Sequence, residues 1–526
     1  MSFSKPGRSL ATKTRLRTPN DFSPFSGMCS VCLEGCTGLC EVGLSSIRGR
    51  EVLYPQPFGK ITAAAEKDYP IDFSHFNIMG TAVGAVGIEA DPDKAIFPAV
   101  KLETEIGAGD NKIKLKMPIV FPAQGSTNVA KENWEGYAGG AALCGVIVTV
   151  GENVCAMDPN AEIVNGRVKR SPDMEARINA FRKYYNGYGT IAVQANVEDT
   201  NLGVLEYAIE KLGVEAVEIK WGQGAKDIGG EVKLSSLERA LQLKERGYIV
   251  LPDPTDPEVQ KAFKNGAFTE FERHSRLGMV DEESFHARVN QLRNAGAKYI
   301  FLKTGAYRPA DLARAVKYAS DARIDLLTVD GAGGGTGMSP WRMMNEWGIP
   351  TVYIEALLYN YLKRLADKGA YIPAVAIAGG FTLEDHIFKG LALGAPYVKL
   401  VGMGRSPMTA AMVGKTIARM IQEGKLPEDL KKHGQSVEQI FYGAIKLKEQ
   451  YGEEAFNNMS PAAIAVYTYM DRVMGGLQQL MAGARKFDVK YITRDDIAAL
   501  TPEAAKITGI KYIMDVDAEE VDKILG

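Results

Sequence analysis

Net charge, cysteine and unbroken apolar sequence are all scarce in this chain of 526 residues. Lysine and arginine number 62 against 64 aspartates and glutamates, a formal charge of −2. That balance provides no overall attraction to nucleic acid or to an anionic membrane surface. No window approaches the roughly 18 uninterrupted apolar residues that a membrane span needs. The opening MSFSKPGRSLATKTRLRTPN also lacks the apolar stretch of a secretory signal. Its basic, Ser/Thr-bearing character is compatible with a transit peptide, but Pro6 and Pro19 argue against a sustained amphipathic helix. A basic surface lead-in and a cytoplasmic protein are therefore expected. At 46% hydrophobic and 24% charged residues the composition is that of an ordinary soluble protein. The length exceeds the roughly 250–300 residues at which single cores stop growing, so one large domain with substantial additions is expected.

Only six cysteines occur, and four of them, Cys29, Cys32, Cys36 and Cys40, fall in the run CSVCLEGCTGLC. In a reducing compartment, thiols packed so closely serve as metal ligands more readily than as disulfides. Gly35 and Gly38 let the backbone wrap a compact centre, and Met28, Val31 and Leu33 supply an apolar shell. Both an iron–sulfur cubane and zinc accept four thiolates. The spacing CxxCxxxCxxxC matches neither the commonest ferredoxin run nor paired zinc knuckles. We read it as an iron–sulfur site of 4Fe-4S type, with zinc, then unliganded structural cysteines, as the alternatives.

Glycine is abundant, with 55 residues against a usual share of about 7%. From about residue 117 a coarse theme repeats: a short apolar run, then glycine-rich or polar residues, then a helical stretch. The candidate strands are Ile119–Phe121, Val146–Val150, Ile191–Gln194, Ala216–Lys220, Tyr299–Lys303, Leu326–Asp330, Ala374–Ala378 and Tyr397–Val401. Eight parallel strands with helices predict an α/β fold, a (β/α)8 barrel, whose site lies in the loops after the strands. Those loops hold WGQGAKDIGGE, GAGGGTGMSP, GGF and GMGR. Loops after strands seven and eight are this fold's usual phosphate site. Gly379, Gly380, Gly402, Gly404 and Arg405 thus form a candidate monophosphate cradle; plain tight turns are the alternative. The expected division is 1–100, an extension with the four-cysteine site, 101–420, the barrel, and 421–526, a helical extension. Between strands four and five, about 232–297, charges at helical spacing predict helices that form a lid or a homo-oligomer contact. His274 and His286 in that insertion are assigned no role.

In order, the motifs PIVFPAQGSTNVA (118–130), TVGEN (149–153), EIKWGQGAKDIGGE (218–231), FLKTG (301–305), VDGAGGGTGMSP (329–340), AIAGGF (376–381) and GMGR (402–405) resemble the FMN-binding synthase domain of glutamate synthase. The tail ITRDDIAALTPEAAKITGI (492–510) resembles that of stand-alone, archaeal-type members. The resemblance implies a barrel holding FMN, with the phosphate at the strand-seven and strand-eight loops. It implies cofactor contacts from Ala123, Gln124, Lys220, Lys303, Gly334, Gly335 and the cradle residues. A lysine at a strand end suits the negative charge that a reduced flavin develops near N1 and the C2 carbonyl; the alternative for Lys220 and Lys303 is a buried salt bridge. Gln223 and Lys226 are implied to meet the carboxylates of 2-iminoglutarate or 2-oxoglutarate, and Glu152 to accept a hydrogen bond from an imine or amine. With Lys303 these are the implied catalytic residues.

The sequence departs from the family in several places. It shows no leading nucleophilic cysteine of a glutaminase domain, no cysteine after Cys155 for a 3Fe-4S triad, GAGGGTG in place of GHDGGTG, and DIGGE in place of a GEGG-like turn. The expected activity is an iron–sulfur flavoprotein passing electrons from a donor protein, such as a ferredoxin or a reductase subunit, through the cysteine centre and FMN to a small polar substrate. N-methylglutamate synthase-type amine transfer and a non-catalytic FMN-binding scaffold are the alternatives. Nucleic-acid and membrane partners are not expected.

Overall fold

The computed structural model describes residues 69–225, 228–335 and 339–526, together with Val42, Ser46, Ile47 and Lys67. Cys29, Cys32, Cys36, Cys40 and Lys226 lie outside the described residues.

Eight parallel strands close into a barrel: β1 (Ile119–Gln124), β2 (Ile147–Val150), β3 (Thr190–Ala195), β4 (Ala216–Lys220), β5 (Tyr299–Thr304), β6 (Leu326–Asp330), β7 (Ala374–Ala378) and β8 (Val398–Gly402). Closure comes from β8 pairing with β1 through Val401↔Ile119 and Gly402↔Val120. All eight expected strands are present, within two or three residues of the expected bounds. They are legible because strands buried on both faces read as short, near-continuous apolar runs.

Alternation along each strand sorts the barrel interior by height. At the lower levels Ala192, Ala216, Tyr299, Phe301, Leu326 and Ala376 form one apolar cluster, joined from below by Ile106, Ile113 and Leu115. Those last residues belong to an antiparallel hairpin, Thr104–Ile106 with Ile113–Leu115, which plugs the amino-terminal end. Two to four residues further along the same faces, the inward positions become polar: Gln194, Glu218, Lys220, Lys303 and Asp330. Register aligns Gln194 with Glu218 and Lys303 with Lys220. The strands therefore carry a dry floor and a charged mouth.

The insertion corrects the helical expectation. Helices Leu237–Glu245 and Pro257–Lys264 are present, but they flank a three-stranded antiparallel sheet of Glu231–Leu234, Phe271–His274 and Ile249–Leu251, with Phe271–His274 in the centre. Its strands are only three or four residues long, too short for alternation to stand out among the surrounding helical charges. Leu234, Ala240, Leu243, Val250 and Phe271 are buried in the hydrophobic core.

Five helices matter for the site: α1 (Asn128–Cys144), α2 (Thr351–Ala366), α3 (Glu384–Gly394), α4 (Arg405–Gln422) and α5 (Pro461–Gly483). The 23-residue α5 packs on α1, α3 and α4. Glycine permits the approach to α1: a Cβ at Gly136 would lie 2.3 Å from Ala462 Cβ, and one at Gly140 would lie 2.4 Å from Val466 Cβ. Part of the glycine excess thus serves helix packing, where a backbone meets a side chain directly. Beyond α5 the tail returns to the start of the described chain, and Ile497–Ala499 pairs antiparallel with Phe76–Ile78. Among the described residues no helix is long and apolar enough to cross a membrane.

Candidate active site

A cavity of about 700 Å³ opens at the carboxyl ends of the strands. Of the sequence-derived residues, Ala123, Gln124, Gln223, Lys303, Gly334, Gly335, Gly379, Gly380, Gly402, Gly404 and Arg405 line it. Lys220 and Glu152 stand beside it, paired with each other. Lys220 Nζ also donates to Gln223 Oε1 at 3.1 Å.

One end is built by β7, β8 and the start of α4. Gly379 has φ of 122°, and a Cβ there would lie 2.4 Å from Thr351 Oγ1 and 2.6 Å from the Gly331 carbonyl oxygen. Thr351 Oγ1 lies 2.7 Å from the Gly379 carbonyl oxygen, which it tethers as a hydrogen-bond donor. Gly404 precedes α4, no side chain caps that helix, and Gly404, Arg405 and Ser406 at its start line the cavity, so its first amide donors lie without side-chain caps at the cavity. The Arg405 side chain is open to the cavity. Loss of hydration in these surroundings nevertheless pushes its guanidinium pKa below the ordinary arginine value. Among the described residues no carboxylate pairs with it. Glycine turns, uncapped amides and an unneutralised guanidinium are the donor set that a phosphate monoester requires.

The other end carries the charged mouth. Lys303 is 5% exposed and its Nζ lies 3.4 Å from Asp330 Oδ2. Burial opposes the ammonium charge, but Asp330, Glu218 and Glu152 together outweigh it and hold the pKa above the ordinary lysine value. Burial also raises the Glu218 carboxyl, against the pull of Lys303 and a hydrogen bond from Gln194 Nε2 at 2.6 Å. The alternative read for Lys303 is present, a buried ion pair, and the same side chain faces the cavity. Lys220 is in an ion pair and does not line the cavity.

Asp199 stands behind Glu152. It is 1% exposed, and its Oδ2 accepts the Asn153 amide at 2.9 Å. Its carboxyl is pushed up to about 7, chiefly by burial, with Glu152 adding and Lys220 opposing. A carboxyl raised in the folded state contributes stability that is full below its unfolded pKa and lost as pH rises through the folded one. We expect Asp199→Asn to flatten the fall in stability between about pH 4 and pH 7. Urea unfolding midpoints measured across that range would show it; an unchanged slope would contradict the assignment.

Asp330, Phe381, Thr382, Ser406, Phe441, Thr468, Tyr469 and Arg472 also line the cavity and were not anticipated. Asp330 is the last residue of a recognised strand, and period-two alternation from Leu326 marks it as inward. Thr468, Tyr469 and Arg472 come from α5, about 60 residues beyond the barrel, where no local motif marks them.

Residues 273–425 match the family model described as the conserved region in glutamate synthase, a span containing β5–β8 and α4. The archaeal glutamate synthase (NADPH) of Archaeoglobus fulgidus is 30% identical over 203 residues, 37% of this chain and 36% of that protein. The glutamate synthase large subunit-like protein YerD of Bacillus subtilis is 26% identical over 190 residues, 36% of this chain and 32% of that protein. The matches thus span about a third of the curated relatives' length. Among solved structures, the recombinant flavin-binding domain of baker's yeast flavocytochrome b2 aligns with a TM-score of 0.45 at 14% identity, over 82% of this chain and 77% of that one. The segment that carries β5–β8 of this cavity is therefore similar to the conserved region in glutamate synthase.

Proposed function

We propose that the chain is an FMN-dependent oxidoreductase of the glutamate synthase-like type, delivering electrons to an imine or other small polar substrate, with conversion of 2-iminoglutarate to glutamate as the family chemistry. The observation that carries this reading is the polarity of one cavity: phosphate donors at Gly379, Gly380 and Arg405, and a buried ammonium, Lys303, toward the other end. FMN, when bound, supplies two-electron transfer. Arg405 and the first turn of α4 would hold its phosphate. Lys303, kept charged by Asp330 and Glu218, would offer a fixed positive charge to a flavin that gains negative charge on reduction. Lys220 Nζ donates to Gln223 Oε1, so the Gln223 amide nitrogen, the other end of that group, is the proposed donor to a substrate carboxylate. Lys226 is proposed as the second carboxylate contact.

Electron entry is proposed at an iron–sulfur centre on Cys29, Cys32, Cys36 and Cys40, supplied by a donor protein. Four thiols within one run, spaced CxxCxxxCxxxC, support it.

Iron, sulfide, zinc and flavin should be quantified on one anaerobically purified sample. About four iron atoms and about one FMN per chain are expected. Zinc in place of iron would make the quartet structural, and absence of flavin would overturn the proposal. Assays of 2-oxoglutarate with ammonia and with methylamine, under reductant, separate glutamate formation from N-methylglutamate formation.

A further inference from the structure

The family match ends at residue 425, yet the cavity continues onto α5, which begins at Pro461. Three observations converge where α5 meets the phosphate end. The Tyr469 hydroxyl donates to the Thr382 carbonyl oxygen. His386 Nδ1, on α3, accepts the amides of Thr382 at 3.2 Å and Leu383 at 3.4 Å. The segment that follows Gly379 and Gly380 is therefore pinned from two helices. Ser406, in the first turn of α4, lines the cavity. Its buried Oγ has the Tyr469 hydroxyl as its hydrogen-bonding neighbour and no other partner among the described residues.

Charges in this corner are unevenly balanced. Arg472 on α5 is matched by Glu384 on α3, whereas Arg405 has no carboxylate among the described residues. A buried hydroxyl whose one neighbour is another hydroxyl can turn its proton to a stronger acceptor. One that sits beside an unmatched guanidinium and an uncapped 18-residue helix has a natural acceptor in an anionic oxygen.

We propose that Ser406 and Tyr469 complete recognition of the cofactor's phosphate monoester, Ser406 as a direct donor and Tyr469 as a positioning residue that holds the Gly379–Thr382 loop. This rests on the FMN reading above. It gives the helical extension a binding role: α5 makes the barrel selective for a phosphorylated flavin over its dephosphorylated form. Burial holds the Tyr469 hydroxyl protonated, as a donor must be.

The test titrates the flavin-stripped full-length chain with FMN and with riboflavin, following quenching of flavin fluorescence. The wild-type chain should bind FMN more tightly. Ser406→Ala and Tyr469→Phe should each weaken FMN by about tenfold or more, the scale of one hydrogen bond to a charged group, and leave riboflavin within about twofold. Each change removes a single oxygen from an otherwise retained side chain, and near-ultraviolet circular dichroism checks the fold. Unchanged FMN affinity in both variants, or equal weakening of both flavins, would overturn the inference while the FMN reading stands. A wild-type chain that binds neither flavin would overturn both.

Discussion

Lys303→Met is expected to lower turnover by about 10²–10³-fold, the scale found when one fixed donor to a developing negative charge is removed. Methionine approximates the length of the side chain and discards its charge. The same substitution strands carboxylates: Asp330 loses its partner 3.4 Å away, and the buried Glu218 loses the nearby cation that offsets its burial. Removing one member of a buried pair costs about 3–5 kcal/mol, so a drop in stability must be separated from a loss of chemistry. Lys303→Met/Asp330→Asn makes that separation. Neutralising Asp330 should restore much of the thermal midpoint and none of the turnover. Steady-state turnover with an artificial reductant, alongside thermal unfolding of all three proteins, is the measurement. Wild-type turnover in Lys303→Met would remove this lysine from the chemistry and leave it as a structural ion pair.

Arg405→Glu should yield a chain that folds but does not retain FMN, with affinity reduced by at least about 100-fold. A carboxylate there would meet the phosphate dianion at a helix start that favours anions. The contrast with Lys303 follows from what each cation touches. Arg405 opens to the cavity and balances no carboxylate among the described residues, so its loss leaves no internal charge unpaired. Its flavin-free stability should stay within about 0.5 kcal/mol, as for a substitution that breaks no buried network. Riboflavin binding should change far less than FMN binding. Flavin content after purification and fluorescence titration provide the readout; an undiminished FMN affinity would place the phosphate elsewhere.

The two substitutions show how far the site was legible before the fold was known. Arg405 could be placed at the barrel mouth because it follows a strand end bounded by glycine, and barrel topology sends every strand end to one face; Lys303 lies at such an end too, and the family resemblance singled it out. Lys220 and Glu152 were also identifiable as mouth residues. Their pairing was not, because it depends on how a strand end and a loop 68 residues apart approach each other. The glycine excess was assigned to ligand loops. The structure gives a share of it to α1, where Gly136 and Gly140 admit α5, a contact with a partner more than 300 residues away.

Local sequence determined the elements: eight apolar runs, their glycine ends, and the inward set that includes Lys303 and Glu218. Those follow from short-range patterning, since a strand's period is two residues and a turn spans four. Only the tertiary structure decided which charges neutralise one another, that the insertion contains a sheet, and that Ser406 and Tyr469 meet in one cavity beside β7 and β8. Each of these depends on a through-space distance of a few ångströms between distant segments. Hydrogen bonding and charge pairing act over such distances, and no spacing along the chain encodes them.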